Sequence, residues 1–172
     1  MVSEGNAAAP ALKPAAGAAG DLYFAYGSNL STRRLQERVA SAQPLGAARL
    51  RNYAFHLDKP GRDGSAKANI RPDAGAEVWG VVFRLAPEAW TELDRYEGGY
   101  QRVSVRLEWA SAPETPGPTA ETYLSALETQ DRVATERYRA WMTEGAREHA
   151  LPPAWCAMLA ALPVRPDPPG SG

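Results

Sequence analysis

The run Glu77-Val-Trp-Gly-Val-Val-Phe-Arg-Leu85 is apolar on both faces, and this constrains the fold more than any other feature of the chain. A strand that alternates can rest one face on water, but a continuous apolar strand needs cover on both sides, so it reads as central in a sheet. The segments around it supply neighbours and cover. Leu22-Tyr-Phe-Ala-Tyr26 is aromatic-rich and reads as a strand, as do Leu50–Leu57, Arg102–Trp109 and Ala120–Leu127. Val103, Val105, Leu107 and Trp109 fall on one face at strand spacing. Gly61–Ser65 and the proline-rich stretch 112–118 read as turns.

Helical spacing takes over between these strands. Leu30, Leu35 and Val39 follow the first strand, with Asn29 or Ser31 available as a cap. Pro87 opens a second helix carrying Trp90, Leu93 and Glu97 on one face, stopped by Gly98-Gly99. Thr135 can cap a third helix, with Tyr138, Trp141, Met142 and Gly145 at i, i+3, i+4 and i+7. Pro153 starts a fourth, with Trp155, Met158, Leu159 and Leu162. The expected class is α+β: a small, closed or nearly closed mixed β-barrel of about five to six strands flanked by helices.

Residues 21–162 form the expected domain. The first 20 residues have Ala, Gly or Pro at 13 positions, so they can bury little and read as a disordered tail. Residues 163–172 are proline-rich and read as a flexible C-terminal tail. The net charge of −1 argues against a nucleic-acid partner, which asks for a basic domain. No apolar run approaches the roughly 18 residues a membrane span needs, and the N-terminus lacks a secretory pattern, so a cytoplasmic protein is expected. Cys156 is the one cysteine, which excludes an internal disulfide and a Cys-rich zinc site. It reads as a packing residue, and His56 and His149 as structural.

Two features carry chemistry. At Tyr26-Gly-Ser-Asn-Leu30 a strand runs into a helix start, where unpaired N–H groups and the positive dipole end can receive an anion. Gly27 lets a ligand approach the backbone. A plain strand-to-helix connection would look the same. Glu97 shares the apolar helix face with Leu93 and Trp90, and a carboxylate turned into an apolar cavity has a raised pKa suited to general acid/base work. A helix-terminal Glu reaching solvent past Gly98 is the plainer alternative. Tyr100, Tyr123 and Tyr138 can line the same cavity or pack as amphipathic core.

Taken in order, several motifs resemble the γ-glutamylcyclotransferase family and its AIG2-like relatives. They are Phe24-Ala-Tyr-Gly-Ser-Asn-Leu30, Ala68-Asn-Ile-Arg-Pro72, Glu77–Phe83, Leu93-Asp-Arg-Tyr-Glu-Gly98, Tyr123-Leu124, Tyr138 and Gly145-Ala-Arg-Glu-His-Ala-Leu-Pro152. The resemblance spans residues 22–162. It implies a small β-barrel flanked by helices, no cofactor and no metal, and cyclisation of a γ-glutamyl amine or γ-glutamyl amino acid to 5-oxoproline with release of the amine. Carried onto this chain, it implies that Tyr26, Gly27, Ser28, Asn29 and Leu30 hold the glutamyl unit. Glu97 becomes the acid/base, and Tyr100, Tyr123 and Tyr138 become its supports; the spacing from Glu97 to Tyr100 varies between branches of the family.

The glutathione-specific branch has a shorter Tyr-Gly-Ser-Leu loop; Asn29 before Leu30 therefore disfavours glutathione as substrate. The chain also resembles branches that remove a γ-glutamyl protecting group in antibiotic biosynthesis, so a deprotecting cyclotransferase of a secondary-metabolite pathway is an alternative. The partner expected is a small γ-glutamyl molecule, with the chain a monomer or homodimer. A non-catalytic binder of acidic metabolites and a dimerisation module are the alternatives, and the first would gain nothing from a second buried carboxylate at Glu97.

Overall fold

The structure, a computed structural model, describes residues 22–170. In chain order it has β1 (Leu22–Ala25), a single 3-10 turn (Ser28–Leu30), α1 (Thr32–Arg38), β2 (Gln43–Pro60) and β3 (Ala66–Arg84). These are followed by α2 (Ala89–Tyr96), β4 (Gln101–Arg106), β5 (Glu108–Trp109) and β6 (Thr119–Leu124). The chain ends on β7 (Ala134–Thr135), α3 (Glu136–Glu148), α4 (Pro153–Ala160) and β8 (Val164–Arg165). This is the expected α+β class: a curled, six-stranded half-barrel with four helices.

The sheet order is β4-β6-β1-β3-β2-β5, antiparallel throughout except for β1 beside β6. The apolar run 77–85 is central as its composition requires, with Val78, Val81, Val82 and Phe83 all fully buried. Curling follows from connectivity. β4 and β5 lie on opposite edges of the sheet yet are separated only by Leu107. Flat, those edges would stand about 24 Å apart, five strand spacings of ~4.8 Å. Two Cα steps reach only about 7.6 Å. The sheet must therefore bend until its edges meet.

Two strands exceed the sequence expectation. β2 and β3 form one long hairpin paired from Gln43↔Arg84 to Pro60↔Ala66 and closed at Gly61–Ser65. Its register shifts between Pro44 and Gly46, Arg51 and Tyr53, and Leu57 and Lys59. Each shift resets which residues face the core, so the period-2 signal breaks although the ladder continues. Asn52 sits at one of them with φ 61°, its Oδ1 accepting from Gly75 N–H. The reading of 102–109 as one strand is corrected by the division at Leu107.

Helix starts follow the expected chemistry. Ser31 caps α1 by accepting from Arg34 N–H, and Thr135 caps α3 by accepting from Tyr138 N–H. The segment after 162, read from sequence as flexible, instead contains β8, which pairs with β7, and Asp167, which accepts from Arg137 N–H at the start of α3. Proline forbids helix there but not backbone pairing at Val164-Arg165. The tail read at residues 1–20 lies outside the described residues. Among those described, no helix is long and apolar enough to cross a membrane.

Candidate active site

β1 delivers its C-terminal end to the cavity. After Ala25 the chain turns at Gly27, and Leu30 N–H closes the 3-10 turn on Gly27 O at 3.0 Å. A Cβ at Gly27 would lie 3.1 Å from both Ala68 Cβ and the Tyr138 hydroxyl, so glycine keeps this corner open. Leu30 departs from its expected role: its side chain is fully buried in the core and its N–H is already bonded. Ser28 N–H is aimed at the Tyr138 hydroxyl, so main-chain donors for a ligand must come from Gly27 or Asn29. Tyr26, Gly27, Ser28 and Asn29 do line the cavity, together with Glu97, Tyr100, Tyr123 and Tyr138. Tyr23 and Ala68 complete the wall.

Glu97 follows α2 directly and caps its end, Glu97 N–H bonding to Leu93 O at 3.2 Å. Its side chain is 12% exposed. Asn29 Nδ2 donates to Glu97 Oε1 at 3.1 Å and Arg38 Nη1 donates to the same oxygen at 3.4 Å. Arg38 also donates to Asn29 Oδ1 at 3.3 Å, closing a triangle of three residues from three elements. The turn and the carboxylate thus meet through Asn29. Both bonds fall on Oε1, leaving Oε2 without a protein donor among the described residues. Burial raises the Glu97 pKa, opposed by Arg38, the Asn29 hydrogen bond and Lys59. The surroundings are polar rather than the apolar cavity expected.

The tyrosines are fixed by their hydroxyls. Tyr26 donates to the main-chain oxygen of Tyr123, and Tyr123 donates to Asp94 Oδ1 at 2.6 Å. Ala68, on the long hairpin, is gripped at both polar atoms: Tyr100 donates to its oxygen at 2.6 Å, and its N–H donates to Tyr138 at 3.0 Å. Asn29 Nδ2 also donates to the Tyr23 hydroxyl at 3.0 Å. The Tyr138 hydroxyl accepts from the main-chain N–H groups of Ala68 and Ser28 and has no protein acceptor for its own proton among the described residues. Burial lifts its pKa to about 12, so it remains a neutral donor at physiological pH. Burial likewise raises Tyr23, Tyr26, Tyr100 and Tyr123.

Sequence reasoning missed Tyr23, Arg38, Ala68 and Asp94. For Arg38 a signal existed. It follows Leu35 by three on a short helix, the same shared-face argument that singled out Glu97. Ala68 contributes only main chain and gives no residue-type signal. His149, read as structural, bonds Thr32 Oγ1 at 2.9 Å and packs edge-on against Phe83.

A family model described as gamma-glutamyl cyclotransferase, AIG2-like, matches residues 23–142. The chain belongs to this family. A gamma-glutamylcyclotransferase of Mus musculus is 34% identical over 149 residues, covering 82% of this chain and 78% of its own length. One of Homo sapiens is 33% identical over the same shares. These relatives place the chain among enzymes. A solved structure titled gamma-glutamyl cyclotransferase superposes with a TM-score of 0.77 at 28% identity, covering 87% of this chain and 90% of that one. The matched region contains the turn, Glu97 and all five cavity tyrosines.

Proposed function

We propose that this family member cyclises a γ-glutamyl amino acid or γ-glutamyl amine to 5-oxoproline and releases the amine, with Glu97 as general acid/base. The observation that carries this reading is the placement of Glu97: a nearly buried carboxylate, anchored through one oxygen by Asn29 and Arg38, facing a glycine turn across a tyrosine-lined cavity.

In the substrate the α-amine is an ammonium that must lose a proton before it can attack. Glu97 Oε2 is the oxygen free to take it. The amine nitrogen then bonds to the γ-carbonyl carbon, and the carbonyl electron pair moves onto oxygen. Tyr138, a neutral hydroxyl with its proton uncommitted, is the side chain suited to receive that charge, along with the N–H groups of Gly27 and Asn29. Collapse of the oxyanion breaks the bond to the departing nitrogen, which takes the proton from Glu97. The ring nitrogen then gives its second proton to the regenerated Glu97 carboxylate, from which it passes to the released amine, leaving a lactam N–H and an ammonium product. Nucleophile and electrophile belong to one molecule, so the protein mainly holds the glutamyl chain in a ring-like pose.

The test is 5-oxoproline formation from γ-glutamyl amino acids, γ-glutamyl amines and glutathione, with Glu97→Gln in parallel. Wild-type turnover is expected with a loss of about 10²–10⁴-fold in the variant, the usual general acid/base contribution. Variant activity within a few-fold of wild type would remove Glu97 from the chemistry. Silence across the panel while 5-oxoproline still raises Tm would leave a binding protein.

A further inference from the structure

The cavity at Glu97 is small, ≈ 30 Å³. Past Ser28, Glu97, Tyr100 and Tyr138 it opens into a cleft of ≈ 280 Å³ of different chemistry. Five cations line this outer cleft (Arg34, Arg38, Lys59, Arg62 and Lys67) against two carboxylates, Asp63 and Glu97. The acids are already taken. Arg38 is committed to Glu97 and Asn29, and Lys67 to Asp63 at 3.0 Å.

Three cations then lack a carboxylate within the cleft. Lys59 is only 7% exposed, yet its ammonium donates to a main-chain oxygen, Gly98 O, at 2.6 Å and sits 4.6 Å from the Tyr100 ring. Neither contact neutralises its charge. Burial lowers its pKa, and Arg62 and Lys67 push the same way while Glu97 opposes. Arg34 stacks 4.0 Å over the Trp141 ring, and its ion pair, 3.6 Å to Glu37, goes to a side chain half in solvent. Arg62 has no hydrogen bond or ion pair among the described residues. Crowding like charges around a buried lysine is costly unless an anion joins them.

We propose that the outer cleft receives the departing amine and selects one bearing two carboxylates, so that the substrate class is a γ-glutamyl dicarboxylic amino acid. This rests on the cyclisation reading above. One carboxylate answers Lys59, beside the inner cavity; the second answers Arg34 and Arg62. A departing amine with a single carboxylate leaves one set unmatched, and an alkyl or basic amine leaves both.

The decisive pair is γ-glutamyl-glutamate against γ-glutamyl-glutamine, which match in shape and differ by one charge. Wild type should favour the glutamate compound by about tenfold in kcat/KM at low salt, the worth of one charge-assisted hydrogen bond. The ratio should shrink toward one in Arg34→Gln/Arg62→Gln and with added salt. Equal rates, or preference for the glutamine compound, would overturn the proposal. Calorimetric binding of the same pair to Glu97→Gln separates the two ideas. If wild type is silent on these two compounds and on the whole panel above, the cyclisation reading falls, while tighter binding of the glutamate compound still upholds the anion-binding cleft and equal binding rejects it.

Discussion

At Glu97 two influences oppose each other: burial favours the protonated acid, while Arg38, Asn29 and Lys59 favour the carboxylate. On the proposed mechanism Glu97 must be ionised in the free enzyme to act as base, so kcat/KM should fall as pH drops through its raised pKa. Arg38→Gln removes the largest opposing charge. The acid limb should therefore move to higher pH, with the rate recovering on the alkaline side; a limb that stays in place would rule out Arg38 acting through Glu97. Stability follows the same shift. A carboxyl whose folded pKa is raised contributes fully below its unfolded pKa, and that contribution is lost as pH rises through the folded value. Glu97→Gln has no such titration, so its Tm relative to wild type should increase from acid to neutral pH. Glu97 itself was legible because a charged residue on an apolar helix face is anomalous. Asn29 was legible as part of the turn but not as a ligand of Glu97, since no pattern in one sequence links residues 68 positions apart.

Helix α3 presses directly on the site turn. A Cβ at Gly145 would lie 2.1 Å from the carbonyl carbon of Leu30 and 2.3 Å from Ser31 N. In an exposed helix Gly→Ala would gain about 1 kcal/mol from propensity. Here the methyl meets backbone, and overpacking of this kind costs about 1–3 kcal/mol. Gly145→Ala should therefore lower Tm, and because Tyr138 rides on the same helix, it should also lower kcat. A higher Tm with unchanged kcat would mean the turn yields freely. The sequence marked Gly145 only as one position on an apolar face. Its closeness to Leu30 depends on how two remote elements dock. The long hairpin was partly hidden for another reason: its ladder is continuous but its side-chain alternation is not, so its outer arm carried no strand period and Ala68 was not expected at the cavity.

Across the whole molecule, that outer arm stays over the site because β3 is tied to the chain beyond β6. Asn69 Nδ2 donates to Ser125 O at 2.9 Å, and Ser125 N–H donates to Asn69 Oδ1 at 2.9 Å, so a buried side chain takes the place of a missing strand partner. The opposite side is held at Leu107, where the two sheet edges meet. Leu107 is fully buried, its N–H bonds to Pro118 O at 2.9 Å, and a Cβ at Gly117 would stand 2.0 Å from its carbonyl oxygen. The alternation Val103, Val105, Leu107, Trp109 made this stretch look like one strand, and locally it is extended throughout. Only the six-stranded order shows that its halves pair with opposite edges. Leu107→Ala should cost about 2–5 kcal/mol in urea unfolding, the range for a large core residue cut to alanine. If Leu107 closes the half-barrel, the loss will not stay local. Amides of Gln101–Arg106 and of Glu108–Trp109, on opposite edges, should lose hydrogen-exchange protection together, with β3 in the middle of the sheet least affected. Increased exchange confined to one edge would show that the two edges are neighbours in the chain without being one mechanical unit.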